Sequence, residues 1–267
     1  MVSEVFGSVH QHKLGDLSKE EAWRFECTNE RKNLTLVEIG KEIVRKCGGV
    51  PLAIRSVGSL LHLKRTEDEW MYFKNQELSN ITRGGNDLMA ILRLSYNYLP
   101  RHLKICFAYC SLYPKDFKLR IFDLITMWIA QGFIQATSSS RDNVEDVVNS
   151  YFVDLLRRSF FQETEEHESF MQFYKMHDLI HDLAKEFADR DFFSITKTED
   201  TKVVPEQSLY ASCLFQIDGS LAFPNSFYRK HMKLRTFIFL NRSSLDVLSI
   251  STLERMISSF TACASYI

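Results

Sequence analysis

Four groups of residues have types and spacings on which chemistry could be built. His102, Cys106 and Cys110 stand at i, i+4 and i+8, one face of a helix. Zinc would accept such ligands, but a tetrahedral site wants a fourth and the spacing places none. Cysteine is commonly buried as a small apolar residue, and core packing is the reading adopted here. His177 and His181 repeat the i, i+4 spacing, but Asp178 and Leu179 follow His177, so the glutamate of a His-Glu-x-x-His metalloprotease is missing. No Gly-x-Ser-x-Gly elbow is present for a serine nucleophile. A phosphate loop needs Gly-Lys followed by a hydroxyl residue, and the one Gly-Lys, at Gly40-Lys41, is followed by Glu42 inside a predicted helix. Catalytic residues and metal ligands are therefore expected to be none.

The fourth group is Asp178 and Asp182 with His177 and His181. The expectation is that all four share the polar, solvated face of one helix. Acidic residues near a helix start are favoured by its dipole, and a histidine there can meet a phosphate.

The elements that must position these residues are mostly helical. Residues 1–30 are mixed and polar, with Leu14, Leu17, Trp23 and Phe25 as scattered anchors and Ser18 before Glu20 and Glu21 as a helix start. From Thr35, the residues Leu36, Ile39, Ile43 and Cys47 fall at helical spacing, and Gly48-Gly49 supplies a left-handed stop. Pro51 opens the next helix, where no backbone N–H is needed, and Ala53, Val57, Leu60 and Leu61 give it an apolar face. A third helix takes in Trp70, Phe73 and Leu78 and is broken over Arg83–Asn86. A fourth carries Leu88, Ile91, Leu92, Ser95 and Leu99 and ends at Pro100. Residues 31–100 thus read as a four-helix bundle.

Residues 101–190 read as a winged helix. Helices are expected over Arg101–Ser111, Ile121–Ala130 (closed by Gly132) and Val144–Ser159. A hairpin with an aromatic core follows, from Phe160-Phe161 through Glu163, Glu165, Glu166 and Glu168 to Phe170–Tyr174. The last helix should bury Met176, Leu179, Ile180, Leu183, Ala184 and Phe187. Beyond Asp191 short β-like runs take over. Leu234–Phe239 fits the strand of a leucine-rich repeat, although Arg242 stands where the repeat's asparagine belongs. Leu245, Val247, Leu248 and Ile250 recur too soon for a second repeat, and the tail after Phe260 has no repeat character.

Composition supports this reading and excludes others. Twenty-one Phe against ten Gly and five Pro suit a helix-dominated, aromatic-packed chain. The six cysteines form no C-x-x-C pair, and neither a signal-peptide core nor a membrane-length apolar run is present, so a cytoplasmic setting and no membrane span are expected. A net charge of -1 gives no electrostatic attraction to nucleic acid. Winged helices often bind DNA, but residues 101–190 hold fourteen acidic residues against eleven Lys and Arg, and the wing is acidic. No DNA partner is expected.

Three segments together resemble the plant nucleotide-binding leucine-rich-repeat (NB-ARC) disease-resistance receptors, most closely their coiled-coil class. Gly49-Val50-Pro51-Leu52-Ala53 is similar to the family's Gly-Leu-Pro-Leu-Ala motif, with Val50 for the usual Leu. Cys106-Phe107-Ala108-Tyr109-Cys110-Ser111-Leu112-Tyr113-Pro114 resembles a second motif, which Met127–Ile134 continues. Met176-His177-Asp178 resembles the Met-His-Asp triplet, extended through Leu179-Ile180-His181-Asp182-Leu183-Ala184.

The resemblance implies an organisation. Residues 1–30 would end a nucleotide-binding domain whose phosphate loop lies upstream, 31–100 and 101–190 would be the two ARC subdomains, and 191–267 a linker and the truncated start of a leucine-rich-repeat solenoid. It also implies a defence-signalling switch between ADP and ATP. ADP would lie between the nucleotide-binding domain and the helical subdomains. Pro51 would pack near the adenine, Leu52 would belong to the same nucleotide-binding set, and His177 would reach the phosphates. Met176 and Asp178 would be regulatory, Asp178 by fixing the local helix geometry, and Arg93 is a further candidate contact. The implied partners are ADP, the receptor's other domains, and a pathogen effector or guarded host protein. Without the phosphate loop, ADP binding by this chain alone should be feeble. The competing expectation is a nucleotide-independent scaffold or decoy of receptor complexes.

Overall fold

The computed structural model describes residues 34–82, 88–134, 144–168, 171–195, 205, 207–215 and 234–241. The expectations for residues 1–30, the Arg83–Asn86 break, Phe170 and everything beyond Asn241 lie outside the described residues. The chain divides into two compact units after Ser95.

In the first unit, α1 spans Leu34–Lys46 and α2 Pro51–Leu61. Between them Gly48 and Gly49 have φ of 65° and 79°, a left-handed pair that stops α1 without a side-chain penalty. Val50 is extended and Pro51 takes the first helical position of α2. Ile39, Ile43 and Cys47 of the first segment are buried, as are Ala53, Val57, Leu60 and Leu61 of the second. Helix α3 begins at Glu67–Tyr72 and continues into a π-helical segment, Phe73–Leu78, and a final α turn, Ser79–Thr82. Its start is a capping box. The Thr66 side chain accepts from the Glu69 amide while Glu69 accepts from the Thr66 amide. The π segment is tied to α1. Lys46 Nζ donates to the Lys74 carbonyl at 3.1 Å and to the Ser79 hydroxyl, and Lys74 pairs with Glu42 at 2.7 Å. Helix α4, Leu88–Asn97, runs across the division.

The second unit begins with α5, Arg101–Tyr109, which tightens into a 3₁₀ turn over Cys110–Leu112 rather than staying α-helical through Ser111. A short β1, Leu119–Arg120, precedes α6, Ile121–Ala130, closed by Gly132 at φ 70°. Helix α7 covers Val144–Arg157. It stops two residues before the expected Ser159, because Ser159 is left-handed at φ 61° and turns the chain away. Phe160 and Phe161 are not part of the hairpin but plug the core just before it. Strands β2 (Gln162–Glu168) and β3 (Met171–Lys175) pair antiparallel with a register shift between Glu163 and His167, and β1 joins the far side of β3. Helix α8, Asp178–Phe187, follows at once. Three helices, a hairpin with a short third strand and a closing helix make the expected winged helix.

A 3₁₀ turn, Asp189–Asp191, leads from α8 into β4, Phe192–Ile195. Strands β5 (Tyr210–Phe215) and β6 (Thr236–Asn241) stack beside it, all parallel, with Phe192, Tyr210 and Thr236 in register. Tyr109 packs edge-on against Tyr113, Phe133, Phe192 and Tyr210, so one ring joins the winged helix to the parallel sheet. The eight helices among the described residues outweigh the six short strands, so the chain is mostly helical.

Candidate functional site

The sequence-predicted residues Met176, His177 and Asp178 fall where β3 passes into α8. Met176 is buried and anchors the junction in the core. His177 is the N-cap, exposed, with extended backbone angles of φ −64° and ψ 146°. Its Nδ1 accepts from the Leu179 amide at 3.2 Å. An imidazole that accepts at Nδ1 carries its proton on Nε2 when neutral, where it can donate to an anionic oxygen. Asp178 is exposed at the first helical position, where its charge favours the helix dipole.

His181 departs from the expectation. It does not lie on the polar face but is 2% exposed, and its Nε2 donates to the Tyr113 carbonyl at 2.7 Å. The reason is geometric: three residues before the buried Ala184 and next to Ile180, it falls at the edge of the side of α8 that packs inward. Nδ1 is buried with no hydrogen-bond partner among the described residues. Burial pushes this imidazole below the ordinary histidine pKa, against the opposing pull of the Tyr113 carbonyl. The group is therefore held neutral. Leu179 and Phe187 are also less buried than expected, and Phe187 stacks on Tyr96 at 3.8 Å.

The loop after the 3₁₀ turn brackets this junction. Lys115 pairs with Asp182 at 2.7 Å, and Lys175 with Asp116 at 3.2 Å, Asp116 being left-handed at φ 58°. The Asp182 hydrogen bond raises the Lys115 pKa above its ordinary value, helped by the nearby charges of Asp182, Asp178 and Asp116. One residue upstream, the Leu112 carbonyl accepts from the Ser212 hydroxyl of β5. None of these partnerships was legible beforehand. The partners lie 59 to 100 residues apart, and no local pattern signals them.

The other candidates sit elsewhere. Pro51 is exposed and Leu52 half-buried at the start of α2, in the first unit. Gly40 and Lys41 lie within α1, so their amides serve the helix rather than a phosphate. Cys106 and Cys110 are fully buried, and Cys110 Sγ donates to the Cys106 carbonyl at 3.3 Å. Desolvation raises the Cys106 thiol to about 12 and also pushes the Cys110 thiol well above the ordinary cysteine range. His102 stacks on Tyr151 at 4.5 Å. Among the described residues no group of three or more His, Cys, Asp or Glu could hold a metal ion. No helix among them is long and apolar enough to cross a membrane.

Residues 112–184, from the 3₁₀ turn through the buried half of α8, match the disease resistance protein winged helix domain. RGA1 of Solanum bulbocastanum, named as a disease resistance protein, is 43% identical over 188 residues, 68% of this chain and 19% of its own. The chain belongs to the plant disease resistance proteins. Within that family, the RPP13-like protein 1 of Arabidopsis thaliana is 34% identical over 248 residues, 90% of this chain and 22% of its own. The ToMV resistance protein Tm-2(2) of Solanum lycopersicum is 35% identical over 190 residues, 69% of this chain and 22% of its own. The chain spans about a fifth of the length of these relatives.

Proposed function

We propose that this chain supplies the regulatory, nucleotide-sensing portion of an intracellular immune receptor in plant defence, with no catalytic machinery of its own. His177 carries the reading. An exposed imidazole at the first turn of a ten-residue helix, with Nδ1 held by the Leu179 amide, leaves Nε2–H as a directed donor beside the positive helix end. That donor set fits a phosphate oxygen and does not fit a metal, which would need the lone pair that Nε2–H lacks. ADP would supply the anionic oxygens. His177 would donate to a phosphate, Met176 and Asp178 would hold the turn that aims it, and Pro51 and Leu52 would belong to the adenine side. Exchange for ATP would bias the receptor between two states through different contacts at His177.

The parallel ladder of β4, β5 and β6 supports reading the C-terminal region as the start of a leucine-rich-repeat stack. Its strands recur at intervals comparable with the roughly 20–29 residues of such repeats. The acidic balance of the winged helix speaks against DNA as partner.

The test is ADP calorimetry on this chain alone and with a matching nucleotide-binding domain added. Feeble binding alone, strong binding with the added domain, and loss on His177→Ala is the expected set. No binding in either case sinks the switch and leaves the scaffold or decoy role in front.

A further inference from the structure

We propose that His181 is the positioning residue for His177, tying the start of α8 to the Tyr113–Phe117 loop and so setting the direction of the His177 imidazole. It rests on the reading that His177 meets a phosphate. His181 bonds both the loop and the His177 turn. Its side chain holds the Tyr113 carbonyl at 2.7 Å, and its main-chain amide holds the His177 carbonyl at 2.9 Å. The second bond closes the first turn of α8, on which the Leu179-to-His177 cap depends.

The loop cannot shift freely at the other end of this chain of bonds. Its Lys115 is paired with Asp182, next to His181, and its Asp116 with Lys175, two residues before His177. Its leading carbonyl, at Leu112, is held by Ser212 of the parallel sheet. His177 is therefore bracketed on both sides by attachments to one loop, and the buried attachment is His181. The two ion pairs are half exposed and contribute little on their own. Burial makes the His181 bond the one whose loss leaves a carbonyl unsatisfied.

Imidazole and amide NMR on the full chain tests this, with His177 assigned by His177→Ala. In the unsubstituted chain His177 should show one neutral tautomer, protonated at Nε2. His181→Leu should move it toward the tautomer mixture of a free imidazole and speed Leu179 amide exchange by about tenfold. His181→Gln, whose amide nitrogen reaches about as far as Nε2, should restore both readouts, while His181→Asn, which stops short, should not. If the Leu variant does not fold, the Asn and Gln pair decides. Unchanged His177 tautomer signals in the folded Leu or Asn variant overturn the proposal, as does a folded Gln variant that rescues neither readout. Calorimetry with ADP separates the two readings. Tautomer changes in a chain that never binds ADP uphold the positioning role and sink the phosphate role. Loss of ADP binding on His177→Ala, with His177 tautomer signals indifferent to His181, does the reverse.

Discussion

His181 and Tyr113 are joined by a buried 2.7 Å hydrogen bond across 68 residues, from the first turn of α8 to the loop that leaves the 3₁₀ turn. Because a carbonyl can only accept, this bond fixes the imidazole's proton on Nε2 and leaves a bare, buried Nδ1.

A pH dependence follows. The folded-state pKa of His181 lies below its unfolded value of about 6.5, so the unfolded chain binds the proton more readily. Its contribution to stability is complete above about pH 6.5 and declines as the pH falls from there toward the folded pKa. Denaturant melts at stepped pH should show this slope, and His181→Gln should flatten it. An equal slope in both proteins would contradict the buried neutral imidazole.

Tyr109 offers a test of packing against polarity. Its ring touches four other aromatic rings, while its hydroxyl has no partner among the described residues. Burial accordingly pushes the phenol well above the ordinary tyrosine range. Tyr109→Phe should be neutral or stabilise by up to about 1 kcal/mol, and Tyr109→Ala should cost about 3–5 kcal/mol. Urea unfolding midpoints decide, and a costly Phe variant would reveal a hydroxyl partner.

The capping box at α3 predicts a loss of about 1 kcal/mol for Thr66→Ala, since Thr66 satisfies the Glu69 amide. Glu69, lowered in pKa chiefly by the Arg65 and Thr66 amides, favours the fold above its unfolded pKa and ceases to do so as the pH falls through its folded one. Circular dichroism during urea titration would register both effects.

At Gly132 the cost of a side chain is purely conformational. Its φ is 70°, yet a Cβ there would meet nothing within 4 Å. Gly132→Ala should lose about 1–2 kcal/mol and Gly132→Asn less, because asparagine tolerates the left-handed region. Thermal melts of the two variants would rank them, and equal melting would argue against the left-handed turn.

Thiol chemistry gives a direct count. Cys47, Cys106, Cys110 and Cys213 are buried, with Cys106 and Cys213 raised to about 12 by desolvation. At mildly alkaline pH these four should resist alkylation until the chain unfolds. Mass spectrometry that finds Cys106 or Cys110 modified in the native protein would refute their core placement.

The amino-acid sequence by itself determined the local elements. Gly48-Gly49 before Pro51 set one helix boundary, Gly132 another, and the apolar spacing of Ile39, Ile43 and Cys47 chose the buried face of α1, because these effects act within a few residues. It likewise showed that Met176-His177-Asp178 opens a helix and that Cys106 and Cys110 belong to a core. Only the tertiary structure decided which face of α8 His181 occupies, since an imidazole suits a polar surface and a satisfied core alike. The deciding partner, the Tyr113 carbonyl, belongs to a distant loop. The same holds for the parallel register of Phe192, Tyr210 and Thr236, which depends on main-chain pairing between segments whose sequences do not announce each other. Local propensity reaches as far as a helical turn, and beyond that the packing of one element on another assigns the roles.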